Sequence, residues 1–443
     1  MSTKLKIFSV IILLGLTGNS VMADTIQIKL TTALELALSD NPTIKIAQRE
    51  ILRADYSKQD AYLKLYPTVQ ASVAYSRALE KQVMFMSEDF VLPGMTPGKP
   101  IKLGFDNSWS ATLSAGMPLF NYSVYQNIQL SQQDVELAIE AARSSRINLV
   151  SEVKKSFYTV LLAEESYKVL QKSYANAENS LSSIKKQYDR GLVAEYDYIR
   201  ADVQVRNIKP SVLQAENNLQ LSYLMLKILL GIPSDQSIKA SGNLNEYSTD
   251  YLSFRPSSLD LGRNSDLKQN EMRMDKVRKQ LHISKMQRLP SLNLIGNYTF
   301  LAQNNSFAMA HYYWVPTSSV GLQLNIPILN GGTNRFKEKQ IEVGLEQMQL
   351  QQQYVTRNLN AQATNYITTM KQAYEQIESN AVGVSQAEKG YSIAKIRYET
   401  GTGTLLELND AEVALTQSKL NYNSAIYNYL KAKIEYEKTL GKE

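Results

Sequence analysis

The sequence has no cysteine, only two histidines, and few glycines and prolines for its length, 20 and 12 in 443 residues. Without cysteine there is no disulfide and no lipid-attachment thiol behind a leader, so stability has to come from packing or assembly. His282 falls in a helical segment and His311 in a loop, neither with a partner at ligand spacing, so both read as surface residues and no metal or cofactor site is expected. A phosphate-binding glycine loop and a Ser/His/Asp grouping around a nucleophile turn are also missing, which argues against an enzyme. Charge of either sign never forms a block: the formal net charge is +6 with acids and bases interspersed, and no nucleic-acid patch is expected. Scarce Gly and Pro beside abundant Ala, Leu, Gln, Asn and Tyr favours long helices.

The one continuous apolar run lies at the start. Lys4 and Lys6 precede Ile7 to Leu16, and small residues follow at Val21-Met22-Ala23, the pattern of a secretory signal (residues 1–23) cut near Ala23. A membrane anchor is the competing reading, but a spanning helix needs about 20 apolar residues. The mature chain is therefore expected to be exported.

Val160, Ala163, Tyr167, Leu170, Tyr174, Ala177, Leu181, Ile184 and Tyr188 recur at alternating steps of three and four, the a/d seam of a left-handed supercoil. This seam extends a helix over 122–188, about 100 Å at 1.5 Å per residue. It turns at Gly191-Leu192-Val193, where glycine can take the left-handed conformation that ends a helix, and a return helix follows over 195–230. Pro210 should kink or loosen that return. The same text recurs about 210 residues later. Met370, Ala373, Ile377, Val384, Ala387, Tyr391, Ala394 and Tyr398 repeat the seam, with Asn380 as its polar interruption, in a helix over 333–399. Gly401-Thr402-Gly403 repeats the turn, and a return helix covers 404–440.

Ahead of each rod the period changes from helical to two. Strands are expected over 68–76 and 108–117 in the first unit and over 291–300 and 319–326 in the second, each pair after a short helix. The chain thus reads as two structural repeats, 24–231 and 265–443, joined by a linker over 232–264 that lacks a clear period and should pack across the outside of the rods. In isolation the strands also fit a small soluble sheet on a core. Against that, no remaining segment offers an apolar face to cover them, since the seams are committed to each other. At nine or ten residues they match the length that crosses a bilayer when tilted, and Tyr66, Tyr75, Trp109, Phe120, Tyr298, Phe300, Tyr312, Tyr313 and Trp314 cluster near their ends. Four strands cannot close a barrel, and an open edge in lipid is costly, so several copies must share one wall. The fold class is mainly α, with tandem-duplicated antiparallel helical hairpins and a small transmembrane β part.

These features together resemble the outer-membrane efflux protein family, the TolC-like channel-tunnels, over nearly the whole mature chain. The motifs are Gly191-Leu192-Val193-Ala194 followed by Asp197, and Gly401-Thr402-Gly403-Thr404 followed by Glu407 and Asp410. The resemblance implies a homotrimer in the outer membrane of a Gram-negative bacterium, its twelve-stranded barrel continuous with a helical tunnel through the periplasm. It implies that the tip turns meet a periplasmic adaptor protein and an inner-membrane pump, making the chain the passive exit duct of an efflux or type I secretion system. It further implies an acidic ring at the pore entrance from Glu407 and Asp410, and a gate lock from Asp197 and Tyr398. The family lock also uses an arginine where this chain has Gly403, so the lock here would be held by fewer or different bonds. Glu407 and Asp410 also fit as plain solvated residues of a first helical turn. The alternative function is a periplasmic coiled-coil adaptor or tether without a pore, which should show one hairpin flanked by compact β domains.

Overall fold

A computed structural model describes residues 26–85, 100–247, 259–329 and 331–442; the signal segment and the middle of the linker lie outside them. In chain order the elements are β1 (Ile26–Ile28), α1 (Leu30–Asp40), α2 (Pro42–Leu63), β2 (Thr68–Arg77), β3 (Gln82–Met84), β4 (Ile101–Leu103), β5 (Asn107–Phe120), α3 (Tyr122–Tyr188) and α4 (Glu195–Leu230). There follow β6 (Ile238–Ala240), α5 (Ser265–Met286), β7 (Ser291–Asn304), β8 (Trp314–Asn325), α6 (Thr333–Glu399) and α7 (Leu405–Thr439).

Both long rods, α3 and α6, contain 67 residues. In one half of its length α3 packs against α4 and α7; in the other it packs against α2 and α5, and α6 likewise pairs with α7 and α5. Asn380, the polar break in the second seam, donates to the Asn421 carbonyl of the facing helix (3.3 Å), so the interruption is satisfied across the pair. α4 continues through Pro210, which lines an open groove of about 1310 Å³ between α3, α4 and α7.

The waist is pinned twice by the same device. Asn41 caps α2 by accepting from the Thr43 amide, and its side-chain amide donates to the Leu229 carbonyl in the last turn of α4 (2.8 Å). Asn264 caps α5 in the same way and donates to the Thr439 carbonyl at the end of α7 (2.8 Å). α4 therefore leads end to end into α2, and α7 into α5, each composite lying along α3 or α6. Gly231 and Gly441 close the return helices with φ of +70° and +71°. The main core lies at this level, built on Val153, Phe157, Leu161, Leu226, Leu230, Ile426 and Leu430. The linker enters it: β6 pairs in parallel with β1, and Ile238, Ala240 and Leu244 are buried there.

At one end of the rods stands a four-stranded antiparallel sheet in the order β2-β5-β7-β8. The register opposes Val69 to Ala115, Ala71 to Leu113 and Tyr75 to Trp109, then Leu113 to Tyr298 and Ala111 to Phe300, then Leu294 to Leu322 and Gly296 to Val320. Directly opposed residues share a face, so the larger apolar side chains of all four strands collect on one side, Ile295, Leu301 and Val315 excepted. Ser110, Thr112 and Ser114 fall on the other with Asn297 and Thr299. Among the described residues nothing covers the apolar side: Val73 is 71% and Val320 81% exposed. The strands are longer than sequence periodicity shows, with 14 residues each in β5 and β7; β5 runs on to Phe120 through a register shift at Pro118.

Candidate functional site

The two glycine turns close the far end of the rods and lie side by side. Ile184 of α3, Ala201 of α4 and Leu405 of α7 are buried in one cluster, with Leu181, Val193, Tyr198 and Tyr398 packed around it. Each turn is built from backbone bonds. At the first, the Gly191 amide donates to the Tyr188 carbonyl (2.8 Å) and Leu192 to Gln187 (2.9 Å); at the second, Thr402 and Gly403 both donate to the Arg397 carbonyl (2.8 and 2.9 Å). Gly191 and Gly401 have φ of +73° and +76°, the left-handed region where a side chain would be strained. Leu192 projects outward, as do Tyr196 and Ile199 beyond it, while Val193 turns inward.

Tyr188 stacks on Tyr198 (ring centroids 5.5 Å apart, planes at 8°), which suits its reading as a seam residue. Tyr398 is half-buried, and burial together with the nearby Asp197 charge pushes its phenol above the ordinary range. Among the described residues no side-chain hydrogen bond joins Asp197 and Tyr398; what brings them together is proximity and the shared apolar cluster.

Glu407 and Asp410 stand on α7 just past the turn, both exposed. Thr404 caps α7 by accepting from the Glu407 amide (3.2 Å), the first half of a capping box. The Glu407 carboxylate turns instead to Arg397, with Nη1 and Oε2 3.4 Å apart, and the other guanidinium nitrogen donates to the Thr402 carbonyl (3.2 Å). Asp410 has no ion pair among the described residues. Sequence reading missed Arg397 and Glu412. The second lies one turn further along α7, 6% exposed, between the hairpins in a cavity of about 330 Å³ that Asn176, Tyr391 and Lys419 also line.

Comparison with known proteins agrees with this architecture. The family model described as outer membrane efflux protein matches residues 33–232 and 257–442. The outer membrane protein TolC of Vibrio cholerae is 21% identical over 344 residues, 75% of this chain and 76% of that one. The alkaline protease secretion protein AprF of Pseudomonas aeruginosa is 22% identical over 340 residues, 74% of this chain and 68% of that one. In structure, the Campylobacter jejuni CmeC outer membrane channel superposes with a TM-score of 0.74 at 17% identity, covering 93% of this chain and 85% of that one. Two hairpins beside an uncovered amphipathic sheet exclude the single-hairpin tether, and the matched family is one of transport channels, not of enzymes. The chain belongs to the outer membrane efflux protein family, a transport channel of the Gram-negative outer membrane.

Proposed function

We propose that three copies close around a common axis into a twelve-stranded barrel continuous with a helical tunnel, forming the passive exit duct of a tripartite efflux or type I secretion machine. The observation that carries this is the sheet. Its four strands are amphipathic, uncovered and open at both edges, β2 and β8, and no arrangement within one chain satisfies those edges in lipid. The rods support the same reading. Ile199, Val203, Leu213, Leu224 and Ile228 leave an apolar stripe exposed along α4, and Phe336, Val343, Leu350, Val382 and Ile393 leave one along α6, the two outer helices of each protomer. A neighbouring copy would bury one stripe against the other.

In this assembly the apolar sheet face meets outer-membrane lipid and the hydroxyl- and amide-rich face lines the lumen. The tips become the periplasmic entrance, where Gly191, Leu192, Val193, Gly401, Thr402 and Gly403 offer the surface for a periplasmic adaptor protein coupled to an inner-membrane pump. Asp197 and Tyr398 hold the first and second hairpins together as the gate lock. Glu407 and Asp410 stand at the pore entrance, where carboxylates in a narrow opening focus a cation-attracting potential. Mature protein reconstituted in planar bilayers should give trimer-sized conductance steps and migrate in mild detergent as a heat-labile trimer. A monomer that inserts nowhere overturns the assembly.

A further inference from the structure

Gly403 is a glycine for a reason other than backbone conformation. Its φ is not in the left-handed region, unlike that of Gly401 two residues before. What demands it is crowding: a Cβ there would lie 3.0 Å from the Arg397 Cβ, 3.2 Å from the Arg397 carbonyl carbon and 3.2 Å from Oε2 of Glu407. The missing side chain is the space through which Arg397 crosses the turn to reach Glu407. The crossing is held at three points: the Arg397 carbonyl accepts from two turn amides, its Nη2 donates to Thr402, and its Nη1 pairs with Glu407. Lys395, earlier on the same helix, is directed to Glu399 (4.0 Å). Asp410, one turn along α7 from Glu407, has no cation on it among the described residues.

We infer that Arg397 sets the charge of the duct's inner entrance by neutralising Glu407, so that of the two α7 carboxylates at the entrance each chain leaves one, Asp410, uncompensated. This rests on the reading that the tips line the pore. The pair is half-exposed and contributes little to stability, but its charge balance is felt by every ion that passes within a Debye length, about 8 Å at physiological salt. Gly403, Arg397 and Glu407 then act as one selectivity element.

Reversal potentials in a KCl gradient and block by spermine from the tip side test this in reconstituted full-length mature protein. Arg397→Gln should raise cation over anion permeability and spermine affinity severalfold; Arg397→Lys should stay near the parent. Glu407→Gln leaves Arg397 uncompensated, so it should lower both quantities in the parent, and added to Arg397→Gln it should return them to the parent values. If Glu407→Gln leaves both unchanged in the parent, or if Arg397→Gln leaves both unchanged in channels that conduct normally, the inference fails while the duct stands. If no variant forms pores, the duct reading fails and this inference with it.

Discussion

Replacing Glu412 with glutamine should tighten the seam between the two hairpins, and by more at neutral pH than in acid. The side chain is buried on α7 against α3, and its Oε1 finds no hydrogen-bond partner among the described residues. Burial pushes the carboxyl above the 4.5 of a free glutamate, opposed by the Asn176 hydrogen bond and the Lys395 charge. Lys168 and Lys172 of α3, Glu388 and Tyr391 of α6 and Lys419 of α7 also face the cavity, with Lys419 bound to Glu388 at 2.7 Å. Because the packed state favours the neutral acid, it binds more protons than the open one. The stability this confers is complete below the ordinary carboxylate range and is lost as pH rises through the raised value. A buried acceptor left without a partner costs about 1–3 kcal/mol and more when it is charged, and glutamine removes that excess while keeping one acceptor. Glutamine stays neutral, so at pH 7.5 the variant should open its seam less often by a factor of about 5–30, the equivalent of one or two kcal/mol. Hydrogen exchange of the 405–416 amides measures this, with parent and variant compared at the same pH so that intrinsic rates cancel. The two should converge near pH 4. A ratio that does not change with pH, or a parent better protected at pH 7.5, would refute the reasoning.

Gly441→Ala should destabilise far more than Gly231→Ala. Both force a left-handed φ on alanine at about 1–3 kcal/mol, but a Cβ at 441 would also sit 2.1 Å from the Arg263 carbonyl oxygen, against 3.3 Å from that of Asp40 at 231; thermal loss of helical circular dichroism ranks them. Tyr398→Phe removes the half-buried hydroxyl beside Asp197 and should raise the frequency of open bursts in bilayers, whereas unchanged gating removes the lock. Asp410→Asn should abolish most spermine block by itself; block that survives takes Asp410 out of the pore.

The rods were legible because their period is long and regular. Seam positions such as Val160, Ala177, Ile184, Met370 and Ile377 are buried in the structure. The sheet was legible because a strand in lipid shows its period on one face alone. What escaped was short or depended on the turn's final shape. β1 and β6 have three residues each, too few to show a period, and pair across more than 200 residues of sequence. Arg397 reads as a solvated charge in a helix until the turn brings Glu407 back to it. Glu412 looks like any surface acid, since its burial depends on α3, remote in sequence. β3 and β4, paired within the first long loop, escaped in the same way as β1 and β6.

Each return rod is jointed at the waist. Where α4 hands over to α2, and α7 to α5, the backbone does not continue; one asparagine amide clasps a terminal carbonyl in each case. A stave with such a joint bends at the glycine elbow before it transmits torque; each asparagine clasp is one hydrogen bond, a net contribution of about 1 kcal/mol, and at the second joint Arg143 adds bonds to the Gly441 and Arg263 carbonyls. In the proposed duct these joints separate the tip half of each stave from its strand half, so a tilt of one half is taken up at the glycine elbow instead of being passed to the other.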